Sequence, residues 1–373
     1  MRVLGLTLRT PVGTARGTHR DRPLLLVRVV GDGADGWGES GALAEGTSVD
    51  PPLSGVADAL VEMVSGPFFA HVRSGGGALP DAASLTDRSA SAVQRMAASA
   101  LEMAALDVGL RAAGVSFADS LGTGSPVQAG AVVGIPADRR LSTLLRDVEK
   151  WTGDGYRRLR LKIEPGWDSE PVREVRAAHP QLRLQVDANG SYSFTQGGAS
   201  SVERLRALEE FELDCIEQPL APDDLVAHVR LAEQLAIPIC LDESLTSLDR
   251  LDEALTMGAC AVACLKPSRL GGLLAAQHAV ERCRMAAVGA FVGGFFETGL
   301  GRSANAALAG LEGFTLAGDL SHPSEYLEAD PFGYPAVVDG RVRPPTSPGI
   351  APPPDPEILA ACTRDVRWFP APL

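Results

Sequence analysis

No stretch of the sequence approaches the roughly 20 consecutive apolar residues that a membrane-spanning helix needs. The most apolar segment, MAASALEMAALDVGL, is interrupted by Glu102 and Asp107. The first ten residues, MRVLGLTLRT, are typical of a β-strand and lack the form of a signal peptide. We therefore expect a protein without a membrane partner.

The sequence also has no excess of basic residues. The sequence has a formal net charge of −13 at pH 7 and an isoelectric point of about 5.0. Nucleic acids and anionic membranes attract positively charged proteins. This charge balance argues against either of them as the main partner.

Paired cysteines are absent as well. None of the six cysteines belongs to a CxxC pair, and none has a histidine at the spacing of a zinc site. Cys215, Cys240 and Cys264 lie within apolar segments, which indicates reduced thiols in the core. We expect a cytoplasmic protein.

The 373 residues exceed one typical core, so a large domain with a smaller one is expected. Residues 1–125 combine strand-like segments with a helical stretch at about 90–113, which predicts an α+β capping domain. Within it, the polar and glycine-rich segment 11–21 predicts a mobile loop.

From residue 126 the pattern changes to short apolar strands that alternate with helix-length segments. The predicted strands lie near 127–134, 157–163, 182–187, 213–217, 237–242, 260–266, 289–295 and 314–319. Eight such units predict a (β/α)8-type TIM barrel over 126–324. The proline-rich tail, 325–373, is expected to return to the capping domain.

Five consecutive predicted strands end in a charged residue. These residues are Lys162, Asp187, Glu217, Asp242 and Lys266, spaced 24 to 30 residues apart. One βα unit of a barrel takes roughly 30 residues, so the same position recurs on each strand. Strand alternation points these side chains into the barrel at its C-terminal rim, where barrel active sites are built.

Three carboxylates on adjacent strands repel one another unless a cation neutralises them. Oxygen ligands suit a hard divalent cation, so we expect Mg²⁺, with Mn²⁺ as a possible substitute. Lys162 and Lys266 lie four strands apart, on opposite sides of the mouth. This arrangement suits proton transfer at a carbon next to a carboxylate.

Other interpretations remain open at this point. The five residues could form a buried network of ion pairs, or the barrel could be a non-catalytic scaffold. A lysine on the sixth strand could also form a Schiff base, as in a class I aldolase, but the three carboxylates would then have no role.

Several motifs carry a family resemblance: LKIEPGWD, QVDANGSY, IEQPL, ICLDESL, LKPSRLGG and GGFFETGLGRSAN. Together they resemble the enolase superfamily, muconate-lactonizing-enzyme subgroup. More narrowly, they resemble o-succinylbenzoate synthases and the related N-succinylamino acid racemases. The resemblance covers nearly the whole chain.

The resemblance implies roles for individual residues. Asp187, Glu217 and Asp242 would bind Mg²⁺, Lys162 would be the acid/base, and Lys266 would face it across the substrate. The substrate pocket implied by the resemblance includes Gly293, Gly294, Phe295 and Glu297. Position in the sequence alone indicates three further candidates: Asn189 forms an Asx turn or supports a ligand, Arg269 forms a salt bridge at a helix start or tunes Lys266, and Glu243 is structural or supports the site. Arg160 lies two residues before Lys162. Glu243 follows a ligand and is expected to point the other way, and segment 13–21 would close over the substrate.

The sequence also departs from the family pattern. Arg160 replaces the first lysine of a Lys-x-Lys motif, Val132 replaces a small polar residue, and segment 13–21 is shorter than in relatives. The implied reaction is Mg²⁺-dependent removal of an α-proton from a small-molecule carboxylate. Dehydration to o-succinylbenzoate in menaquinone biosynthesis, racemisation of N-succinylamino acids, or both activities fit this reaction. Both a monomer and a homo-oligomer are compatible with the sequence.

Overall fold

The computed structural model describes residues 1–31, 33–73, 80–86, 89–193 and 201–370. These residues form a four-stranded antiparallel sheet with helices and a parallel barrel of eight strands. The predicted fold class, a (β/α)8 barrel with an α+β capping domain, is confirmed.

The capping domain begins with three strands and continues into helices. Its elements are β1 (Arg2–Thr14), β2 (Gly17–Val30), β3 (Asp35–Glu39), α1 (Leu53–Met63), α2 (Phe69–Arg73), α3 (Ala82–Leu85), α4 (Ala92–Ala113) and α5 (Phe117–Leu121). Helix α4 begins after Ser91, whose hydroxyl accepts a hydrogen bond from the Gln94 N–H. It ends at Gly114, whose φ of 70° suits glycine.

One helical stretch, 53–71, is long and apolar enough to cross a membrane by length and composition alone. This stretch was not predicted from the sequence. It is continuous because a π-helical segment, Val64–Phe68, joins α1 to α2 without a break. Val56, Leu60 and Met63 are buried in a cluster with residues of α4 and β2. Such packing is typical of an amphipathic helix in a globular domain.

The barrel contains eight parallel strands with helices between them. Its elements are β4 (Val127–Val133), α6 (Leu141–Gly153), β5 (Arg158–Lys162), α7 (Ser169–Ala178), β6 (Arg183–Asp187), α8 (Ser201–Arg206), β7 (Ile216–Glu217), α9 (Leu225–Ala232), β8 (Ile239–Leu241), α10 (Leu248–Met257), β9 (Val262–Leu265), α11 (Pro267–Leu270), α12 (Leu273–Met285), β10 (Gly289–Val292), α13 (Gly299–Leu308) and β11 (Gly318–Asp319). The strands follow the order β10-β9-β8-β7-β6-β5-β4-β11, and a parallel bridge between Ala290 and Phe314 closes the barrel. The eighth strand is shorter than predicted.

The C-terminal segment returns to both parts of the molecule. Its elements are β12 (Arg341–Val342), α14 (Pro356–Cys362) and β13 (Thr363–Val366). Strand β12 pairs with β4, and β13 adds an antiparallel edge strand to β1. The Asp107 carboxylate holds this return by accepting hydrogen bonds from the Trp37 and Ile350 N–H groups at 2.9 and 2.7 Å. The domain boundaries near 125 and 325 stay predictions.

Apolar side chains and thiols fill part of the barrel interior. Cys215, Cys240 and Cys264 form one buried cluster with Val262 and Phe291. All six cysteines are free and buried. The prediction that Cys215, Cys240 and Cys264 are core residues is confirmed.

The prediction of a loop at 11–21 is wrong, because this segment is part of a β-hairpin. Strands β1 and β2 pair through it, with Val12 opposite His19 and Thr14 opposite Gly17. Only Ala15 and Arg16 separate the two strands. Polar composition did not reveal the hairpin, because its backbone pairs across strands even where its side chains face solvent.

A buried carboxylate joins the capping domain to the barrel. Glu39, at the end of β3, is 3% exposed and accepts hydrogen bonds from the backbone N–H and hydroxyl of Thr298, which precedes α13. Burial raises the pKa of Glu39 to about 8, and the nearby Glu297 and Asp330 add to this increase. The Thr298 hydroxyl and Arg22 lower its pKa by less.

We predict that Glu39→Gln changes how stability depends on pH. Because the folded protein binds the Glu39 proton more tightly than the unfolded chain, wild-type stability should fall as pH rises from about 4.5 to 8. The variant should therefore gain about 2–4 kcal/mol relative to wild type between pH 5 and 8. Calorimetric unfolding at several pH values measures this, with Glu62→Gln on the exposed face of α1 as control. Parallel curves for Glu39→Gln and wild type would contradict the assignment.

Candidate active site

The structure brings the five predicted strand-end residues together at the C-terminal mouth of the barrel. Lys162 is in register with Asp187, and Asp187 with Glu217, on three adjacent strands. Asp242 directly follows β8, and Lys266 directly follows β9. All five line one cavity of about 1160 Å³.

Each lysine bonds one of the carboxylates. The Lys162 Nζ lies 2.5 Å from Asp187 Oδ2, and the Lys266 Nζ lies 2.7 Å from Asp242 Oδ2. Strands β5 and β9 are separated by three strands in the barrel order. The two ammonium groups therefore approach the carboxylates from opposite sides of the mouth.

Arg160 links the third carboxylate to the far side of the barrel. Its Nη1 donates to Glu217 Oε2 at 2.6 Å, and its Nη2 donates to Asp319 at the end of β11. Arg158, two residues earlier on β5, also bonds Asp319, at 3.1 Å. All four side chains are buried, so these charges neutralise one another inside the barrel.

Arg269 connects the mouth to the capping domain. Its Nη1 donates to Asp242 Oδ1 at 2.5 Å, and its Nε and Nη2 donate to both Asp50 carboxylate oxygens at 2.7 and 2.8 Å. This two-point bond fixes the guanidinium plane. The orientation of Asp242 thus depends on a residue from the loop before α1.

Asn189 and Glu243 also belong to the mouth. The Asn189 Nδ2 donates to Glu243 Oε1 at 3.0 Å, while its backbone N–H donates to Asp187 Oδ1 at 2.8 Å. Glu243 lines the cavity, which corrects the expectation that it points the other way. Strand β8 ends at Leu241, so strand alternation no longer applies at residue 243.

Burial and neighbouring charges shift the pKa values of these groups. Burial opposes ionisation of Asp242, but Lys266 and Arg269 have the larger combined effect and lower its pKa. Burial raises the pKa of Glu217, Asp187 adds to the increase, and Arg160 reduces it. Burial has the largest single effect on the pKa of Lys266 and lowers it, but Asp242 and the other nearby acidic groups together raise it by more, so the net direction is upward.

The carboxylate cluster fits a divalent cation. Glu217 and Asp242 place carboxylate oxygens within 4.8 Å of each other, and Asp187 lies beside Glu217 in register. Glu217 Oε1 is buried and has no hydrogen-bond partner among the described residues. A buried carboxylate oxygen without a partner is costly, and a cation bound there would satisfy it.

The hairpin of β1 and β2 covers the cavity. Arg16 at its turn donates from Nε to the Asn189 carbonyl at 2.7 Å and from Nη1 to the Ser48 hydroxyl. His19 packs near the Phe296 ring, with 6.1 Å between ring centroids. Val132 also lines the cavity.

The predicted residues after β10 divide into two groups. Gly294 and Phe295 line the cavity, and the Lys266 Nζ lies 4.7 Å from the centre of the Phe295 ring. Gly293 and Glu297 lie behind the lining. A Cβ at Gly293 would come within 3.0 Å of the Lys266 side chain, and Glu297 Oε1 accepts the Phe295 N–H at 2.7 Å.

Sequence reasoning missed several residues of this site. Asp319 ends the eighth strand and could have been found by extending the strand-end comparison beyond β9. Asp50, Arg16 and Ser48 come from loops or turns of the capping domain. They carry no periodic signal, because only the docking of the two domains brings them to the barrel.

Two family descriptions match the chain. Residues 2–122 match "Mandelate racemase / muconate lactonizing enzyme, N-terminal domain", and residues 143–358 match "Enolase C-terminal domain-like". Among solved structures, a probable mandelate racemase from Alicyclobacillus acidocaldarius is 32% identical, with a TM-score of 0.85, over 98% of this chain and 96% of that one.

Two curated relatives differ in their named activity. The o-succinylbenzoate synthase of Geobacillus kaustophilus is 38% identical over 94% of this chain and 91% of its own length. The N-succinylamino acid racemase of an Amycolatopsis species is 38% identical over 99% of this chain and 98% of its own length. Family membership implies a divalent metal, and the carboxylate cluster provides a site for it. The chain belongs to the mandelate racemase and muconate-lactonizing-enzyme family of the enolase superfamily.

Proposed function

We propose that this protein removes a proton from the carbon next to a carboxylate and eliminates water to form o-succinylbenzoate, a step of menaquinone biosynthesis. The observation that carries the proposal is the placement of two lysines on opposite sides of one carboxylate cluster. The name and 38% identity of the Geobacillus kaustophilus relative support this choice of product.

Asp187, Glu217 and Asp242 would hold Mg²⁺, with Mn²⁺ as a substitute. When bound, the ion supplies positive charge that holds the substrate carboxylate and stabilises the negative charge left after proton removal. Arg160 and Arg269 orient two of these ligands through the contacts at 2.6 and 2.5 Å. The ligand set is therefore positioned by residues of β5, α11 and the capping domain.

Lys162 is the proposed base. As a neutral amine it takes the α-proton, and the resulting ammonium can return a proton to the β-hydroxyl group, which leaves as water. Its side chain is 11% exposed and lies beneath the hairpin that carries His19. Exclusion of bulk water there strengthens its electrostatic interaction with the substrate.

Lys266 faces the substrate from the other side. As an ammonium held by Asp242 and the Phe295 ring, it offsets negative charge that develops during elimination. The same position favours a second activity, racemisation of N-succinylamino acids, because a base on each face can remove or return the α-proton. The Amycolatopsis relative supports this alternative, and one site could perform both reactions.

Lysine usage across the whole sequence supports these roles. Only three of the 34 lysine and arginine residues are lysines, namely Lys150, Lys162 and Lys266. Arginine cannot act as a base at neutral pH, whereas lysine can. A chain that uses arginine at nearly every other cationic position has lysine at both proposed proton-transfer positions.

We propose a small-molecule carboxylate as the substrate, since the cavity combines cations with an apolar wall formed by Val132, Phe295 and Phe296. A cytoplasmic location fits six buried free thiols, because the cytoplasm keeps cysteines reduced.

The first experiment measures loss of ultraviolet absorbance from the cyclohexadiene carboxylate that dehydrates to o-succinylbenzoate. With Mg²⁺ we expect kcat/KM of about 10⁴ M⁻¹s⁻¹ or more, within the usual range of enzymes. EDTA should abolish turnover, and added Mg²⁺ should restore it. Absence of turnover in a folded, Mg²⁺-binding protein would reject the synthase, and polarimetry with N-succinylamino acids would then test the racemase.

Exchange of the α-proton in D₂O tests the two lysines separately. Lys162→Ala should reduce exchange from one stereoisomer of an N-succinylamino acid by at least about 10³-fold, and Lys266→Ala should do so for the other stereoisomer. Nuclear magnetic resonance measures the exchange. Lys150→Ala is the matched control, because Lys150 lies at the rim in an ion pair with Glu325. Substantial exchange of both stereoisomers by Lys162→Ala would exclude Lys162 as the base.

Arg160 and Arg158 provide a matched pair for testing ligand positioning. Arg160→Lys should weaken Mg²⁺ binding by about tenfold, because one ammonium cannot reproduce the fixed fork that reaches Glu217 and Asp319. Arg158→Lys should change Mg²⁺ affinity little, since Arg158 bonds Asp319 but does not bond Glu217. Isothermal titration calorimetry measures both. Equal effects of the two substitutions would show that Arg160 acts only on general stability.

A further inference from the structure

A thiol lies among the carboxylates of the barrel mouth. Cys264 is on β9, two residues before Lys266, and is 1% exposed. Its Sγ, one carboxylate oxygen of Glu217 and one of Asp242 all lie within 4.8 Å of one another. Thiolate sulfur and carboxylate oxygen are both ligands of zinc-like metal sites.

A further observation indicates the need for a ligand at this point. Glu217 is 1% exposed, and its Oε1 has no hydrogen-bond partner among the described residues. Gly293 directly follows the neighbouring strand β10 and lacks a side chain, and a Cβ there would overlap the Cys264 Sγ. Glycine at position 293 thus lets the Cys264 sulfur occupy its place beside the carboxylates.

These three ligand atoms are one sulfur and two oxygens, whereas the proposed Mg²⁺ site contains only oxygen ligands. Mg²⁺ is a hard cation that prefers oxygen, whereas zinc-like ions readily bind thiolate sulfur together with carboxylate oxygen. We propose that Cys264, Glu217 and Asp242 form a second, thiolate-containing metal site for thiophilic divalent cations such as Zn²⁺ and Cd²⁺. On binding, the Cys264 thiol releases its proton to solvent and its sulfur becomes a ligand.

This site overlaps the proposed Mg²⁺ site and competes with it. A cation held by Cys264 uses two of the three carboxylates that Mg²⁺ needs. Thiophilic cations should therefore inhibit the Mg²⁺-loaded enzyme by displacement. The proposal does not depend on which substrate the enzyme uses, because it concerns only metal ligands.

Cadmium titration of the full-length protein without added Mg²⁺ tests the proposal directly. A Cd²⁺–thiolate bond gives an ultraviolet charge-transfer band that oxygen ligands do not give. We expect this band in wild type, and Cys264→Ser should abolish it. The same substitution should weaken Cd²⁺ binding by at least about tenfold, because loss of a residue that only supports a metal ligand already weakens metal binding by about 10- to 100-fold. Circular dichroism and thermal unfolding show whether Cys264→Ser and a second variant, Cys264→Ala, remain folded.

Cys240→Ser is the matched control, because Cys240 belongs to the same buried thiol cluster but not to the three-residue group. It should keep the charge-transfer band. Excess Mg²⁺ should shift the wild-type Cd²⁺ titration to higher concentration, as shared ligands require. Each of four results would overturn the proposal: absence of the band in wild type, retention of the band in both Cys264 variants, loss of the band in Cys240→Ser, or Cd²⁺ binding that Mg²⁺ does not affect.

Discussion

The neutralisation of buried charge at the barrel mouth is the constraint on which the rest of this structure depends. Asp187, Glu217 and Asp242 are almost fully buried, where an unpaired carboxylate is strongly destabilising. Each forms an ion pair with a lysine or arginine side chain from another strand or strand end of the barrel. The charges needed for chemistry are therefore also charges that the fold must balance.

This balance ties the active site to both domains. Asp50 of the capping domain fixes Arg269, which in turn orients Asp242. Arg22 of β2 is 1% exposed and donates to the backbone carbonyls of Phe295 and Ala42, so it joins the segment after β10 to the capping domain. Removing the capping domain would leave several of these buried groups without partners. The capping domain is thus part of the catalytic site as well as its cover.

Much of the fold and the proposed site could be predicted from the sequence. Alternating apolar residues placed the barrel strands within a few residues of their observed positions, because each strand must present one face to the surrounding helices. The recurring strand-end charges located the mouth. The hairpin at 11–21, the direction of Glu243 and the contribution of Asp319 were not predicted, since each depends on where strands end or pair rather than on local alternation.

The sequence by itself determined the fold class, the inward face of each barrel strand and the five charged residues at the mouth, because periodicity and strand length are local properties. Only the tertiary structure decided which charge neutralises which. Arg160 reaches Glu217 across the one strand between β5 and β7, Arg269 joins Asp242 to Asp50, and Cys264 lies among the carboxylates. These contacts join residues that are distant in the chain, and barrel closure and domain docking are what bring them within bonding distance.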